Sequence, residues 1–416
     1  MKLVVFAHTP PPHHGQSYMV QLMLEGFGGD ARRRPPGATS PFGIECYHVN
    51  ARFSETLEDV GEFQGGKILL IFWFCLQALW LRFRHDANHF YYVPAPGKRV
   101  ALYRDWLVML FCRRFFDSVI LHWHAAGLAK WLETASSSAA RSLTYRLYRP
   151  VTLSIVLSQY NAGDGEKLFS RNVRVVQNGI ADPCPDFNET ILTRRRTRVA
   201  ARQRLLAGET LSPMDCQAAG GDPRLVKILF LAHCMRQKGL FDALEGVVEA
   251  ERQWRAAGSP LSLELTVAGE FPNAEERVEF DRRLAELAGR GDSPPVKYVG
   301  FVSGDRKRQS FFEADVFCFP TYYYAESFGL VIVEAMAFGL PVVTTRWRTI
   351  PELFPDNYPG LVAARSPAQI AMALHRAAAL DLTESMRRLF LDRYTFATHL
   401  SRLAGAIRSV EEAAEK

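Results

Sequence analysis

Apolar, strand-like runs alternate with helical patterns along this chain, and the alternation occurs twice. Lys2 to Ala7, Glu45 to Asn50, Phe90 to Val93, Val119 to His122, Leu153 to Ser158 and Val173 to Gln177 read as strands. Helical stretches such as Tyr18 to Phe27 and Val100 to Phe116 lie between them. A second cycle runs through strands at Leu225 to Ala232, Leu261 to Ala268, Val296 to Gly300, Val316 to Pro320 and Pro341 to Thr345, with helices at Gly239 to Ala257 and Ala274 to Gly289. Strands joined through helices pair in parallel by right-handed crossovers. The 416 residues suffice for two full cores. The expected class is α/β, with two Rossmann-like domains facing an interdomain cleft. Ligands of such sheets bind at the carboxyl ends of the strands.

The expected domains are 1–185, an N-terminal Rossmann-like domain, and 225–395, a C-terminal one. Between them, 186–224 reads as a basic helix, Arg194 to Leu206, and a Gly- and Pro-rich loop. Residues 396–416 read as a helix packing back on the N-terminal domain. At 48% hydrophobic and 23% charged, the composition is globular. Seven cysteines, none in a Cys-x-x-Cys pair, argue against a disulfide framework or structural zinc and fit a reducing compartment. Met1 to Ala7 is too short for a signal peptide. Ile68 to Leu81 falls short of a spanning length and reads first as a buried core helix, with an interfacial role as the alternative.

Charge is uneven. Residues 1–185 hold 20 Lys and Arg against 14 Asp and Glu, whereas the remainder holds 30 of each. A basic N-terminal half can meet anionic lipid or acidic glycans.

One stretch carries chemistry, Ala325-Glu326-Ser327-Phe328-Gly329-Leu330-Val331-Ile332-Val333-Glu334. A helix opening over Ser327 to Leu330 would aim backbone N–H groups at a phosphate. Glu334 would then lie about two turns along, roughly 12 Å by rise per residue. One acid could stand at each end of an extended diphosphate ligand. A second stretch, His233-Cys234-Met235-Arg236-Gln237-Lys238-Gly239, is a cationic loop after a strand, suited to a leaving diphosphate. His122-Trp123-His124 ends another strand, with both imidazoles on one side. Gly15, in Pro10-Pro11-Pro12-His13-His14-Gly15, allows close backbone approach at the first strand-to-helix loop.

This order of motifs resembles glycosyltransferase family 4, also called glycosyltransferase group 1, among the retaining GT-B enzymes. The resemblance implies GT-B architecture, with the acceptor on the 1–185 domain and the nucleotide-sugar donor on the 225–395 domain, and transfer of a sugar from a nucleoside diphosphate donor. It places Glu326 on the donor sugar, Glu334 on the ribose hydroxyls, and the Ser327, Phe328, Gly329 and Leu330 amides on the diphosphate. Lys238 carries over directly. The family's arginine position holds His233 here, so Arg236 or His233 takes that role. His124 carries over as a sugar contact, Gly15 as a donor or acceptor contact, and Gln177-Asn178-Gly179-Ile180 as a junction. The glycines that usually precede Ile-Pro-Glu are replaced by Arg348 and Thr349.

No Asp-x-Asp triplet occurs, so neither a metal nor any other cofactor is expected. The expected partners are a nucleotide-sugar donor, a glycan or lipid-linked acceptor and an anionic membrane surface, without nucleic acid. The expected location is the cytoplasm or the inner face of a membrane. Competing readings are a sugar-nucleotide epimerase, a non-catalytic nucleotide-sugar-binding protein and a membrane-surface scaffold.

Overall fold

The computed structural model describes residues 1–11, 15–35, 37–52, 66–95, 97–125, 127–149, 151–168, 170–289 and 294–412, with backbone only at 66 and 67. Contacts divide the chain into two compact units, Met1–Gly179 with Phe396–Lys416, and Ile180–Thr395.

The first unit is built on β1 (Lys2–Ala7), β2 (Glu45–Asn50), β3 (His89–Tyr92), β4 (Ser118–Trp123), β5 (Val151–Val156) and β6 (Ser170–Val175). They form one parallel sheet in the order β2-β1-β3-β4-β5-β6. Side chains of a strand alternate between faces, and both faces are covered. Val4 and Phe6 pack with Ile71, Cys75, Leu102 and Val108 of the helices Gly66–His85 and Arg99–Cys112. Leu3 and Val5 pack with Met23 and Leu24 of the helix Gly15–Gly26 and with Leu403 and Ile407 of the helix Phe396–Glu412. A sheet covered on both sides explains why its strands read as continuous apolar runs.

The helix expected at Ile68 to Leu81 extends over Gly66–His85, and its burial needs correction. Ile71, Cys75, Ala78 and Leu81 are at most 6% exposed, but Leu69, Trp73, Leu76, Trp80 and Phe83 are 55–74% exposed. A 3.6-residue period carries only one face of an all-apolar helix onto the sheet.

The second unit is built on β7 (Leu225–Leu231), β8 (Ser262–Ala268), β9 (Val296–Gly300), β10 (Val316–Phe319), β11 (Val342–Thr345) and β12 (Leu361–Val362). This sheet is also parallel, in the order β12-β11-β10-β7-β8-β9. Chain direction across the sheet therefore reverses between β7 and β10. A crevice at such a reversal is where open α/β sheets bind ligands.

Residues 186–224 are not a link between domains, and the border lies at Gly179/Ile180 rather than at 185. The basic helix Thr193–Leu206 turns its arginines inward. Arg198 Nε meets Asp315 Oδ1 at 2.8 Å, and Arg202 Nη2 meets Asp315 Oδ2 at 2.5 Å. The Lys227 amide donates to the same carboxylate at 2.9 Å. Arg195 donates to the carbonyls of Ala314 and Phe311. Asp315 leads into β10 and Lys227 lies in β7, so this helix clamps the amino ends of the two strands that flank the reversal.

Burial raises the Asp315 carboxyl, but Arg202, Arg198 and the amide more than offset it, leaving a lowered pKa. The stability this carboxylate contributes is present above the ordinary value of about 4. It is lost as the pH falls through the lowered folded value. Asp315→Ala leaves two buried guanidinium groups without their carboxylate. We expect about 3–5 kcal/mol of destabilisation, measured by urea denaturation at neutral pH; a change under about 1 kcal/mol contradicts the clamp.

Candidate functional site

The carboxyl ends of β7 and β10 bring the second unit's candidates together. After β7 the chain forms a 3-10 turn, Arg236–Lys238, closed by Gly239 at φ +83°. A Cβ at Gly239 would stand 2.3 Å from the Pro320 carbonyl oxygen, so only glycine lets this turn press against the end of β10. That approach sets Lys238 beside the loop that follows β10. Lys238 Nζ donates to Glu326 Oε2 at 2.7 Å. Its ammonium also lies 4.6 Å from the Tyr323 ring centroid and 5.7 Å from that of Phe319. Thr321 Oγ1 donates to the same Glu326 oxygen at 3.3 Å. Glu326 is 7% exposed, a carboxylate kept in a tight place by a cation and a hydroxyl.

Arg236 and His233 do not join this pair. The Arg236 guanidinium lies 3.6 Å from Glu279 and stacks over Phe241, while its amide donates to Glu276. His233 is exposed, and partial burial followed by the Lys238 charge lowers its pKa, with Glu270 acting the other way. Its imidazole is neutral at pH 7, so it supplies little of the fixed charge an arginine would bring.

The helix after Glu326 begins later than expected, which is a correction. It spans Leu330–Ala337, with Gly329 as N-cap at φ +76°. Ser327 and Phe328 form the bend before it. A left-handed residue cannot sit inside a right-handed helix, so Gly329 sets the start. Glu334 consequently stands one turn into the helix, not two. Phe328 is buried edge-on against Tyr394 and anchors the bend. Glu334 Oε1 accepts from Lys307 at 2.6 Å, whereas its buried Oε2 has no partner among the described residues. A buried carboxylate oxygen left open is costly unless a donor comes to it.

Sequence reasoning missed Thr321, Tyr323 and Lys307. Thr321 and Tyr323 follow β10 directly, and strand-end position was their only signal. Lys307 sits on the helix Gly304–Glu313 and carried none. The loop's alternate residues, Tyr322 and Tyr324, line a separate cavity of about 410 Å³ with Gln237, Trp347, Ala364 and Arg365. Trp347 Nε1 donates to the Tyr323 carbonyl at 2.9 Å and braces this loop. Arg348, which stands where glycine was expected, holds φ +49°, so the backbone keeps a glycine-like turn despite the substitution.

In the first unit, Gly15 opens the helix Gly15–Gly26, and Pro12 to His14 of its loop lie outside the described residues. His124 follows β4 and is buried, its ring 4.1 Å from that of His122. His122 Nδ1 hydrogen-bonds the Tyr91 hydroxyl. Burial first, then the neighbouring His124 and His399, holds the His122 pKa well below the ordinary value. His399 Nδ1 donates to the Gln177 carbonyl at 2.7 Å, and burial lowers its pKa to about 4. The His122 and His399 imidazoles are packed neutral. Gln177 to Ile180 is the segment where the chain leaves the first unit. Among the described residues, no group of three or more His, Cys, Asp or Glu side chains is gathered to hold a metal.

Residues 226–379 match the family model for glycosyl transferases group 1, wholly within the second unit. The chain is 34% identical over 160 residues to a phosphatidyl-myo-inositol mannosyltransferase of Mycobacterium leprae, covering 37% of this chain and 38% of that one. It is 30% identical over 154 residues to the amylovoran biosynthesis glycosyltransferase AmsK of Erwinia amylovora, covering 36% and 35%. It thus spans little more than a third of these relatives' length. Among solved structures, Anabaena Alr3699/HepE in complex with UDP and glucose aligns over 98% of this chain and 99% of its own, with TM-score 0.61 and 16% identity. Sucrose-phosphate synthase from Thermosynechococcus elongatus aligns over 99% and 100%, with TM-score 0.63 and 17% identity. The fold is the α/β GT-B architecture, with two Rossmann-like units.

A buried His399 with a depressed pKa contributes stability that is complete above pH 6.5 and lost as the pH falls toward 4. That shift corresponds to roughly 3 kcal/mol. His399→Asn, which keeps a donor for Gln177, should flatten the fall in urea-denaturation stability between those values. His122 retains part of the slope. An unaltered pH profile would show that His399 titrates normally in the folded chain.

Proposed function

We propose that this protein is a retaining glycosyltransferase that moves a sugar from a nucleoside diphosphate sugar to an acceptor hydroxyl. The observation carrying this reading is the Lys238–Glu326 pair at the strand reversal, beside the Gly329-capped start of a helix. Departure of a nucleoside diphosphate builds negative charge on its phosphate oxygens. Preorganised donors placed where that charge grows lower the barrier most. Lys238 supplies a cation already held by Glu326, Tyr323 and Phe319. The amides at Ser327 to Leu330 supply donors at the positive end of a helix dipole. Glu326 orients the sugar through its hydroxyls, and the open Glu334 Oε2 accepts from the ribose. Lys307 holds the other Glu334 oxygen and fixes the carboxylate for that contact.

The match to glycosyl transferases group 1 supports the transfer reading over epimerisation. The Anabaena protein's complex with UDP and glucose makes a uridine diphosphate sugar the first donor to try. The amylovoran and phosphatidyl-myo-inositol relatives favour an acceptor in cell-surface polysaccharide or glycolipid synthesis, and we place the protein in the cytoplasm or at the inner face of a membrane. No metal or other cofactor enters this reading.

A thermal-shift panel of uridine, guanosine and adenosine diphosphate sugars should show stabilisation by one base class. Against that donor, Glu334→Ala should weaken binding by about tenfold to a hundredfold, the worth of charge-assisted hydrogen bonds. Lys238→Ala should lower kcat by roughly a hundredfold to a thousandfold with little change in donor affinity. Donor affinity untouched in Glu334→Ala would remove that residue from the site, and full turnover in Lys238→Ala would remove the leaving-group role.

A further inference from the structure

We propose that the outer face of the helix Gly66–His85 docks the first unit onto an anionic lipid bilayer, lying flat in the headgroup region. Leu69, Trp73, Leu76, Trp80 and Phe83 recur at intervals of four and three residues, so they form one stripe along the helix. All five are more than half exposed. The apolar surface continues onto the neighbouring helix Arg99–Cys112 and the 3-10 turn Arg113–Phe115 after it, where Phe111 stands edge-on to Phe72 at 4.8 Å and Phe115 edge-on to Phe83 at 6.1 Å. Contiguous apolar surface of this extent marks an interaction site rather than ordinary exposure. This proposal does not rest on the transfer reading.

Charge selects the occupant. Residues 66–117 hold eight basic and three acidic side chains. One acid, Asp105, is buried against Tyr92, Tyr148 and Arg104, and the other two, Asp86 and Asp117, both lie against Arg82 at the helix end. Arg84 and Arg114 are exposed beside the stripe. A second copy of this chain would bring like charges together, because the basic residues outnumber the acids and the two exposed acids already face Arg82. Anionic headgroups answer them directly. Tryptophan on the stripe also suits the water–lipid boundary. The opposite face, with Ile71, Cys75, Ala78 and Leu81 locked into the core, holds the helix on the sheet, so it lies on a bilayer rather than crossing it.

Flotation of the full-length protein with vesicles of phosphatidylcholine alone, or with about one-third phosphatidylglycerol, tests this. We expect about tenfold or more stronger partition onto the anionic vesicles, weakened by salt. Trp73→Ser with Trp80→Ser should reduce it at least tenfold with Tm and nucleotide-sugar binding retained. Arg84→Glu with Arg114→Glu should remove the preference for anionic lipid. Equal partition on both vesicle types, or none, overturns the proposal. So does a lipid-free dimer in sedimentation that the tryptophan substitutions abolish, which would assign the face to a second copy. Loss of donor binding in otherwise vesicle-competent protein would instead strike at the transfer reading.

Discussion

The second unit's chemistry depends on how closely two strand ends approach. Pro320 and Gly239 come near enough that a single Cβ would collide with a carbonyl. Everything placed around Lys238 follows from that contact. The 3-10 turn is short and left-handed at its end, and the ammonium it presents is held by Glu326 and faces the Tyr323 and Phe319 rings. Glu326 meets it directly, and Thr321 holds the same Glu326 oxygen from the loop after β10. At the opposite end of these strands, Asp315 with Arg198 and Arg202 holds β7 and β10 in register. The buried ion network is not itself a large source of stability, since desolvation offsets much of the attraction. Its effect is to fix which two strands lie side by side, and that adjacency makes the site.

Strand and helix alternation made the parallel α/β class legible, because each period reports which side of an element is buried. The order of the strands was not legible in the same way. It depends on the crossover pattern, and nothing local in Val316–Phe319 says that β10 will lie against β7. Glu326 and Glu334 stood out because two carboxylates flanking a small-residue turn and an apolar helix are costly to place without a reason, and Lys238 because it lies in a cationic loop that follows a strand. Lys307 did not, since a lysine on an exposed helix is ordinary until a carboxylate is found within 2.6 Å. The start of the helix at Leu330 turned on the conformation of Gly329, a choice between two backbone wells that composition does not decide.

The basic helix Thr193–Leu206 shows a different limit. Arginine-rich segments between sheets read as solvated connections. Here the guanidinium groups of Arg195, Arg198 and Arg202 turn inward, where Asp315 and backbone carbonyls at or just before the starts of β7 and β10 take up most of their donors, Arg195 Nε being left without a partner among the described residues. Arginine suits this because several donors leave one rigid plane, which a lysine could not reproduce. Average polarity points outward, while the geometry of available acceptors points inward, and the acceptors win.

A similar tension governs the helix Gly66–His85. Its residues are apolar all round, and such a helix belongs either in a core or against lipid. The sheet supplies a core for one face only. Covering the other would require another layer of protein, and the neighbouring helix Arg99–Cys112 instead adds exposed aromatics of its own beside it. The charge excess of residues 1–185 then acquires a physical sense, because it concentrates around the apolar face that water does not favour. The second unit, balanced in charge beyond residue 185, gathers its ionised groups into pairs. Unpaired positive charge beside exposed tryptophan favours a surface that is both anionic and apolar, whereas paired charge in a crevice favours a small polar ligand. The two units thus differ in what their uncompensated groups can still bind.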